Sequence, residues 1–299
     1  MKRVSIIIVT YNRLKLLKEC LKNTENCDYI DSVFVINNNS NDGTKEYLDN
    51  CDINHVIPVN LEENLGGAGG FSYGLNYAYS NSKSEYFLIM DDDTMLKQDT
   101  ITKFIEAAEK LNDDFGFLCS NVRWYKDNEP AYMNIPVVEV DWNKKIQDGL
   151  VKLKSASFVS FFTKRSVVKE AGLPIAEMFI WADDVEYSTR IAKKHQSYLV
   201  IDSEVIHKCK SNSVDDSVVN CAIGRIKYYE YMFRNRIYIY RKYYSFVFPI
   251  IYSVKYLTNI VTIILHSKNN RISRIKATIM GVFKGFFFNP KVKFVKDRK

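Results

Sequence analysis

Pairs of cysteines at the spacing Cys-x-x-Cys are missing from this chain. Its six cysteines (Cys20, Cys27, Cys51, Cys119, Cys209 and Cys221) are scattered, which argues against a paired-thiol metal or redox motif. A long apolar N-terminal stretch is missing too. After Lys2 and Arg3 the apolar run over residues 6–9 is too short for a secretory signal and reads as a first strand, so the expected compartment is the cytosol. Acidic residues are scarce at the other end. Residues 221–299 carry 17 Lys and Arg against only Glu230 and Asp297, a net +15, so in a chain of net charge +7 residues 1–220 carry −8. An acidic first part suits a metal site, and a basic, aromatic tail suits a surface of phosphates. What is present is enough for a large core: 299 residues, 46% hydrophobic, expected to divide into a domain over residues 1–220 and a helical region over residues 221–299.

The first half alternates strands and helices. A β-branched run over residues 4–10 stops at Tyr11, Asn12 and Arg13, after which Leu14, Leu17 and Leu21 recur at helical spacing. Residues 32–36 form a second strand, ended by a polar stretch from Asn37 to Gly43 and a short helix through Tyr47 and Leu48. Residues 55–59 form a third, followed by Asn64, a glycine-rich loop over residues 66–70 and a helix from Phe71 to about Tyr79. Further strands are expected over residues 116–119 and 157–162. Such βαβ units imply a mostly parallel sheet, an α/β fold whose ligands gather at the carboxyl ends of the strands.

The polar loops at those ends carry the chemistry. Asp91, Asp92 and Asp93 follow the apolar run from Tyr86 to Met90. Carboxylates packed so closely raise one another's pKa values, a cost that a hard divalent cation removes by coordination. Four glycines in five positions around Ala68 let a backbone approach a ligand, and the following helix offers N–H groups to an anion such as a diphosphate. The dinucleotide order Gly-x-Gly-x-x-Gly is absent. Asp183 and Asp184 open a second helix just after Phe179, Ile180 and Trp181, which places an apolar platform beside a carboxylate and suits both sugar binding and a raised base pKa. Among four histidines, His207 follows a strand, where a neutral imidazole completes a coordination sphere begun by Asp93.

Taken in order, these residues resemble family 2 glycosyltransferases of the GT-A fold, in particular the galactofuranosyltransferase-like and rhamnosyltransferase-like branch. The resemblance rests on residues 8–13, on Asn38-x-Ser40-x-Asp42-Gly43-Thr44, on Asn64-x-Gly66-Gly67-Ala68-Gly69-Gly70-Phe71, on the three aspartates, on Trp181-x-Asp183-Asp184-x-Glu186-Tyr187 and on His207, with Tyr228-Tyr229 and Arg234-Asn235 a further element. It implies inverting transfer of a sugar from a nucleotide diphosphate donor, with Mn2+ or Mg2+ as cofactor. Asp91, Asp93 and His207 would bind the metal, and Asp184 would be the general base. Trp181 and Asp183 would hold the acceptor. Thr10, Asn12, Arg13, Asn38, Asn64, Gly66, Gly67, Asp91 and Asp92 would line the donor pocket. Asn37 stands where many relatives carry Asp, and its amide oxygen would accept the base N3–H of uracil or thymine alike. UDP-galactofuranose is the first donor expected and dTDP-rhamnose the second; the acceptor would be a glycan or lipid-linked sugar.

The tail poses a separate question. Residues 246–265 are apolar for long enough to span a membrane, but Lys255, Thr258, Asn259, Thr262 and His266 form one polar stripe. With Arg271, Arg274 and Lys284 next to a second apolar face, the expectation is a peripheral helix on the anionic inner face of the cell membrane; the alternative is a helical homo-oligomer contact or core cover. A nucleic-acid partner would leave the acidic crevice unexplained, and a nucleotidyltransferase would leave the Trp181 motif without a role.

Overall fold

The computed structural model describes residues 3–212 and 217–296. The opening β-branched run is β1 (Val4–Thr10), buried along its whole length. Its two faces feed two cores. Ile6 and Ile8 pack with Leu17 and Leu21 of α1 (Leu14–Thr24) and Phe104 of α4 (Thr100–Lys110), whereas Ile7 and Val9 pack with Phe71 and Leu75 of α3 (Gly66–Asn81). Burial on both faces is why the strand reads as a continuous apolar run rather than an alternation.

The strands β2 (Ile30–Asn37), β3 (Val56–Asn60) and β4 (Tyr86–Asp91) lie parallel with β1 in the order β3-β2-β1-β4, with α2 (Thr44–Asp49) between the second and third. Beyond β4 the sheet is mixed. It continues through β9 (Phe161–Lys164), β6 (Phe117–Trp124), β10 (Tyr198–His207), β8 (Leu150–Ser155) and β7 (Val137–Val138). A short strand, β5 (Thr94–Leu96), pairs antiparallel with the end of β10, in a register that sets Thr94 opposite His207. Two helices, α5 (Arg165–Ala171) and α6 (Asp183–Ala192), cover the α3 face.

Three local expectations need correction. The glycine run is not a loop but the first turn and a half of α3. Glycine there costs about 1 kcal/mol per residue against alanine, yet a Cβ on Gly70 would sit 2.6 Å from Val9 Cγ1, so close packing on β1 requires it. Residues 157–160 are not strand, because the chain leaves β8 and reaches β9 only at Phe161. His207 does not follow a strand but closes one, β10, which has a register shift between Val200 and Glu204.

The tail forms α7 (Ile226–Tyr243), α8 (Val247–His266) and α9 (Arg271–Phe287) around Phe233, Ile237, Tyr256, Ile263, Ala277 and Val282. After α9 the chain returns to the first part. Lys293 O accepts the N–H of Leu173 at 2.8 Å, and Val295 joins the core of the α3 face. Arg274, expected at the surface, is 3% exposed and donates to the carbonyls of Val218 and Cys221 at 2.8 and 2.9 Å. It pins the start of the helical unit instead of facing headgroups.

Candidate active site

β4 ends in Asp91, and the turn through Asp92 and Asp93 hands the chain to β5, whose pairing with β10 brings His207 alongside. One ligand atom from each of Asp91, Asp93 and His207 lies within 4.8 Å of the others. His207 Nε2 is 3.1 Å from Asp93 Oδ1, and its Nδ1 is 2.8 Å from Asn134 Oδ1. Since an amide oxygen only accepts, Asn134 fixes the proton on Nδ1 and aims Nε2 at the carboxylates. Asn134 lies far away in sequence, in a short turn before β7, and no local pattern flagged it.

The charges in this cluster are unbalanced. Burial first, and then the charge of Asp93, push the Asp91 carboxyl up to about 7; burial likewise pushes Asp92 up to about 6, against the pull of Arg13. His207 is pushed up to about 10: burial opposes its charge most strongly of any single influence, but its hydrogen bonds to Asp93 and Cys209 and the charges of Asp93 and Asp91 together outweigh burial. For Asp93 burial acts upward, and the bonds and charges of His207 and Arg13 together overcome it and hold the carboxyl below its usual range. Two carboxylates and an imidazole whose outer nitrogen is already fixed are a fitting donor set for a divalent cation of the Mn2+ or Mg2+ kind.

Asp92 joins the cluster to a polar knot. Thr10 Oγ1 donates to it at 2.7 Å, and Arg13 Nη1 donates to both Asp92 (3.1 Å) and Asp93 (2.7 Å). The other donor-side residues stitch loops together. Asn12 Oδ1 accepts the N–H of Asn41 at 2.8 Å; Asn64 Oδ1 accepts that of Gly66 at 2.8 Å. Buried Asn38 accepts from Leu65 N (2.8 Å) and donates to Gly66 O (2.9 Å), bracing the start of α3 from behind. Asn37 Oδ1 already accepts Ser40 N–H at 3.0 Å, and its amide donates to Asn60 at 2.8 Å.

The anion cradle expected at the glycines is in part occupied by the chain itself. Besides the N–H of Gly66, that of Ala68 is taken, by Phe179 O at 3.1 Å. Gly66 has φ +72°, and a Cβ there would stand 2.1 Å from the same carbonyl. Gly67 alone among these glycines has nothing within 4 Å of an added Cβ. Gly66→Ala is therefore expected to cost about 3 kcal/mol or more, from a positive-φ side chain and a backbone clash together, measured as a lowered midpoint of urea denaturation.

Phe179 belongs to a strained loop. It has φ 66° and ψ −59°, with Ile180 N–H bonded to Met178 O at 2.8 Å, a tight γ-turn of the rare positive-φ kind, and Trp181 and Ala182 follow at φ 62° and 66°. What holds it is α7. Fully buried Asn235 donates its side-chain amide to the carbonyls of Met178 (3.0 Å), Ile180 (3.2 Å) and Trp181 (2.8 Å), while Arg234 donates to Glu177 and Met178. Trp181 is not an open platform: it is half-buried, edge-on to Tyr228 and Tyr229, with the Arg225 guanidinium 5.2 Å from its ring centre.

The loop delivers the first turn of α6. Asp183 is buried, and burial, then Asp184, then Asp91 among other charges lift its carboxyl well above the ordinary range. The start of α6 thus lies within electrostatic reach of Asp91. Asp184 is raised by burial too, opposed by the 2.7 Å bond from Val185 N–H and by the positive charge of Arg236. Glu186, with no exposed surface, grips Arg190 (2.9 and 3.0 Å) and accepts from Tyr243 Oη, fixing α6 against α7.

The profile of glycosyl transferase family 2 matches residues 5–171, more than half of the chain and all of the segment from β1 to α5. The chain belongs to glycosyl transferase family 2. It is 31% identical over 110 residues to the uncharacterized glycosyltransferase YfnE of Bacillus subtilis, covering 36% of this chain and 27% of that one. It is 26% identical over 171 residues to the GalNAc(5)-diNAcBac-PP-undecaprenol beta-1,3-glucosyltransferase of Campylobacter jejuni, covering 55% and 52%. The chain thus spans about half or less of these relatives. Among solved structures, GalNAc-T7 with UDP, GalNAc and Mn2+ superposes with a TM-score of 0.62 at 15% identity, over 81% of this chain and 48% of that one. S. aureus TarS 1-349 in complex with UDP gives 0.55 at 15%, over 96% and 72%. Both likenesses are of fold, and the expected GT-A architecture is the one observed.

Proposed function

We propose that this chain transfers a hexose from a UDP-sugar to a hydroxyl of a bacterial cell-surface glycan or lipid-linked acceptor, inverting the anomeric carbon. The observation that carries this reading is the meeting of Asp91, Asp93 and His207, with Asp183 at the start of α6 within electrostatic reach of Asp91. Mn2+ or Mg2+ held by the three would neutralise charge developing on the departing diphosphate. Asp184, as a carboxylate with a raised pKa, takes the proton of the acceptor hydroxyl as that oxygen attacks. Asp183 and Trp181 position the acceptor. Thr10, Arg13 and Asp92 hold the cluster in shape, and Asn12, Asn38, Asn64, Gly66 and Gly67 set the walls of the donor pocket.

Galactofuranose is the first choice of sugar, because the glycine run followed by Phe71 and the Trp181 motif most resemble enzymes that transfer it. A dTDP-rhamnose donor is the nearest rival. Incubating the protein and Mn2+ with UDP-galactofuranose, UDP-glucose and dTDP-rhamnose, and measuring which nucleoside diphosphate is released, tests both points; pyrophosphate release would replace the reading with nucleotidyl transfer. Asn134→Ala, which frees the His207 ring, is expected to weaken Mn2+ binding about 10- to 100-fold by titration calorimetry.

A further inference from the structure

α8 has three sides. Pro249, Ser253, Tyr256 and Ile263 are buried on the helical unit, where the Tyr256 ring centre lies 4.8 Å from that of Phe233. Lys255, Thr258, Thr262 and His266 make an exposed polar stripe. The third side is all aliphatic: Ile250, Ile251, Val254, Leu257, Val261 and Leu265 are 37 to 65% exposed. At 3.6 residues per turn these six fall within about 120° of one another, an apolar sector along the helix that only Thr258 enters, near its edge. Next to it, α9 exposes Ile279, Phe283 and Phe287. Isolated apolar side chains at a protein surface are ordinary; a whole helical sector of them marks a surface that is covered in use.

We propose that this sector lies in the surface of an anionic lipid bilayer, with α8 parallel to the leaflet and its aliphatic side sunk among the acyl chains. Charge chooses this occupant over a second copy of the chain. Residues 221–299 carry 17 basic and two acidic residues, and Lys255, Lys268, Arg271 and Lys276 are exposed on or beside α8 and α9. Anionic headgroups complement that excess, whereas a copy would set two strongly positive surfaces against each other. The buried side of α8 decides between lying and crossing. Although the helix has the 20 residues a span needs, Tyr256 and Ile263 are packed into protein and Lys255 sits mid-helix, so lipid cannot surround it. Docking does not depend on the glycosyl-transfer reading. Its consequence for that reading is positional: the same unit grips residues 177–181 through Arg234 and Asn235, so the acceptor side of the crevice is fixed at the leaflet.

The test uses the whole protein and sedimentation with vesicles of phosphatidylcholine, with and without phosphatidylglycerol. The protein is expected to pellet with the anionic vesicles and to be released by high salt. The double variant Ile251→Glu, Val254→Glu is expected to partition about tenfold less or weaker still, with an unchanged melting temperature since both sites face out. The pair Ile251→Val, Val254→Ile should bind as the parent does. Equal pelleting of the Glu variant, a dimer in light scattering that the Glu variant dissolves, or resistance of cell-membrane-bound protein to alkaline carbonate would each overturn the proposal, the last two in favour of self-association and of a membrane span.

Discussion

Asp184→Asn is expected to lower sugar transfer by about a hundred- to ten-thousand-fold while leaving donor binding intact. The amide keeps the size of the side chain and its bond from Val185 N–H, but it cannot take a proton. The pH profile supplies a second readout. A base works only as its carboxylate, and burial raises this one above the ordinary range, so activity should fall as pH drops through that raised value. The acidic limb should vanish from whatever activity the variant retains. Asp183→Asn is the informative companion: Asp183 is the carboxyl that feels Asp91, and if it rather than Asp184 removed the proton, the limb would vanish there instead. Full turnover in Asp184→Asn would end its role as base.

Asp93→Ala is expected to abolish metal-dependent donor binding, with the affinity for Mn2+ reduced by more than about a hundredfold. Asp93 does two things at once. It offers one carboxylate oxygen to His207 and the other to Arg13, so its loss removes a ligand and also the contact that orients the second. Arg13 remains paired with Asp92, which in turn holds Thr10, so the polar knot beneath the cluster persists and the fold should survive. Electron paramagnetic resonance of Mn2+ follows the lost site directly, and circular dichroism confirms that the protein is folded. Wild-type Mn2+ binding in the variant would place the ion elsewhere.

Much of this site was legible in the sequence because its parts sit where strands end. The run from Tyr86 into three aspartates is a buried strand reaching its carboxyl end, and the parallel pairing of β1 with β2 and β4 brings residues 10–13, 37–42 and 91–93 together without any further information. The pairing of β5 with β10, which delivers His207, is long-range, so the residue type hinted at a ligand but nothing local fixed its neighbour. Asn134 and Asn235 were illegible or unexplained for the same reason: each acts on an element more than 50 residues away. The glycines misled in an instructive way. Their spacing reads as a phosphate loop, yet the space at Gly66 and Gly70 is filled by the carbonyl of Phe179 and by Val9, and that at Gly67 alone stays open, a fact fixed by tertiary packing. Arg274 likewise reads as a surface cation and is a buried clasp.

The central claim is that one crevice binds a nucleotide-sugar through a cation held by Asp91, Asp93 and His207. Ligand-observed NMR of UDP-galactofuranose and dTDP-rhamnose with the wild-type protein, before and after addition of Mn2+, addresses it most directly. The expected result is binding of a UDP-sugar that appears with Mn2+ and disappears in His207→Ala; binding that ignores both the ion and the substitution would contradict the account.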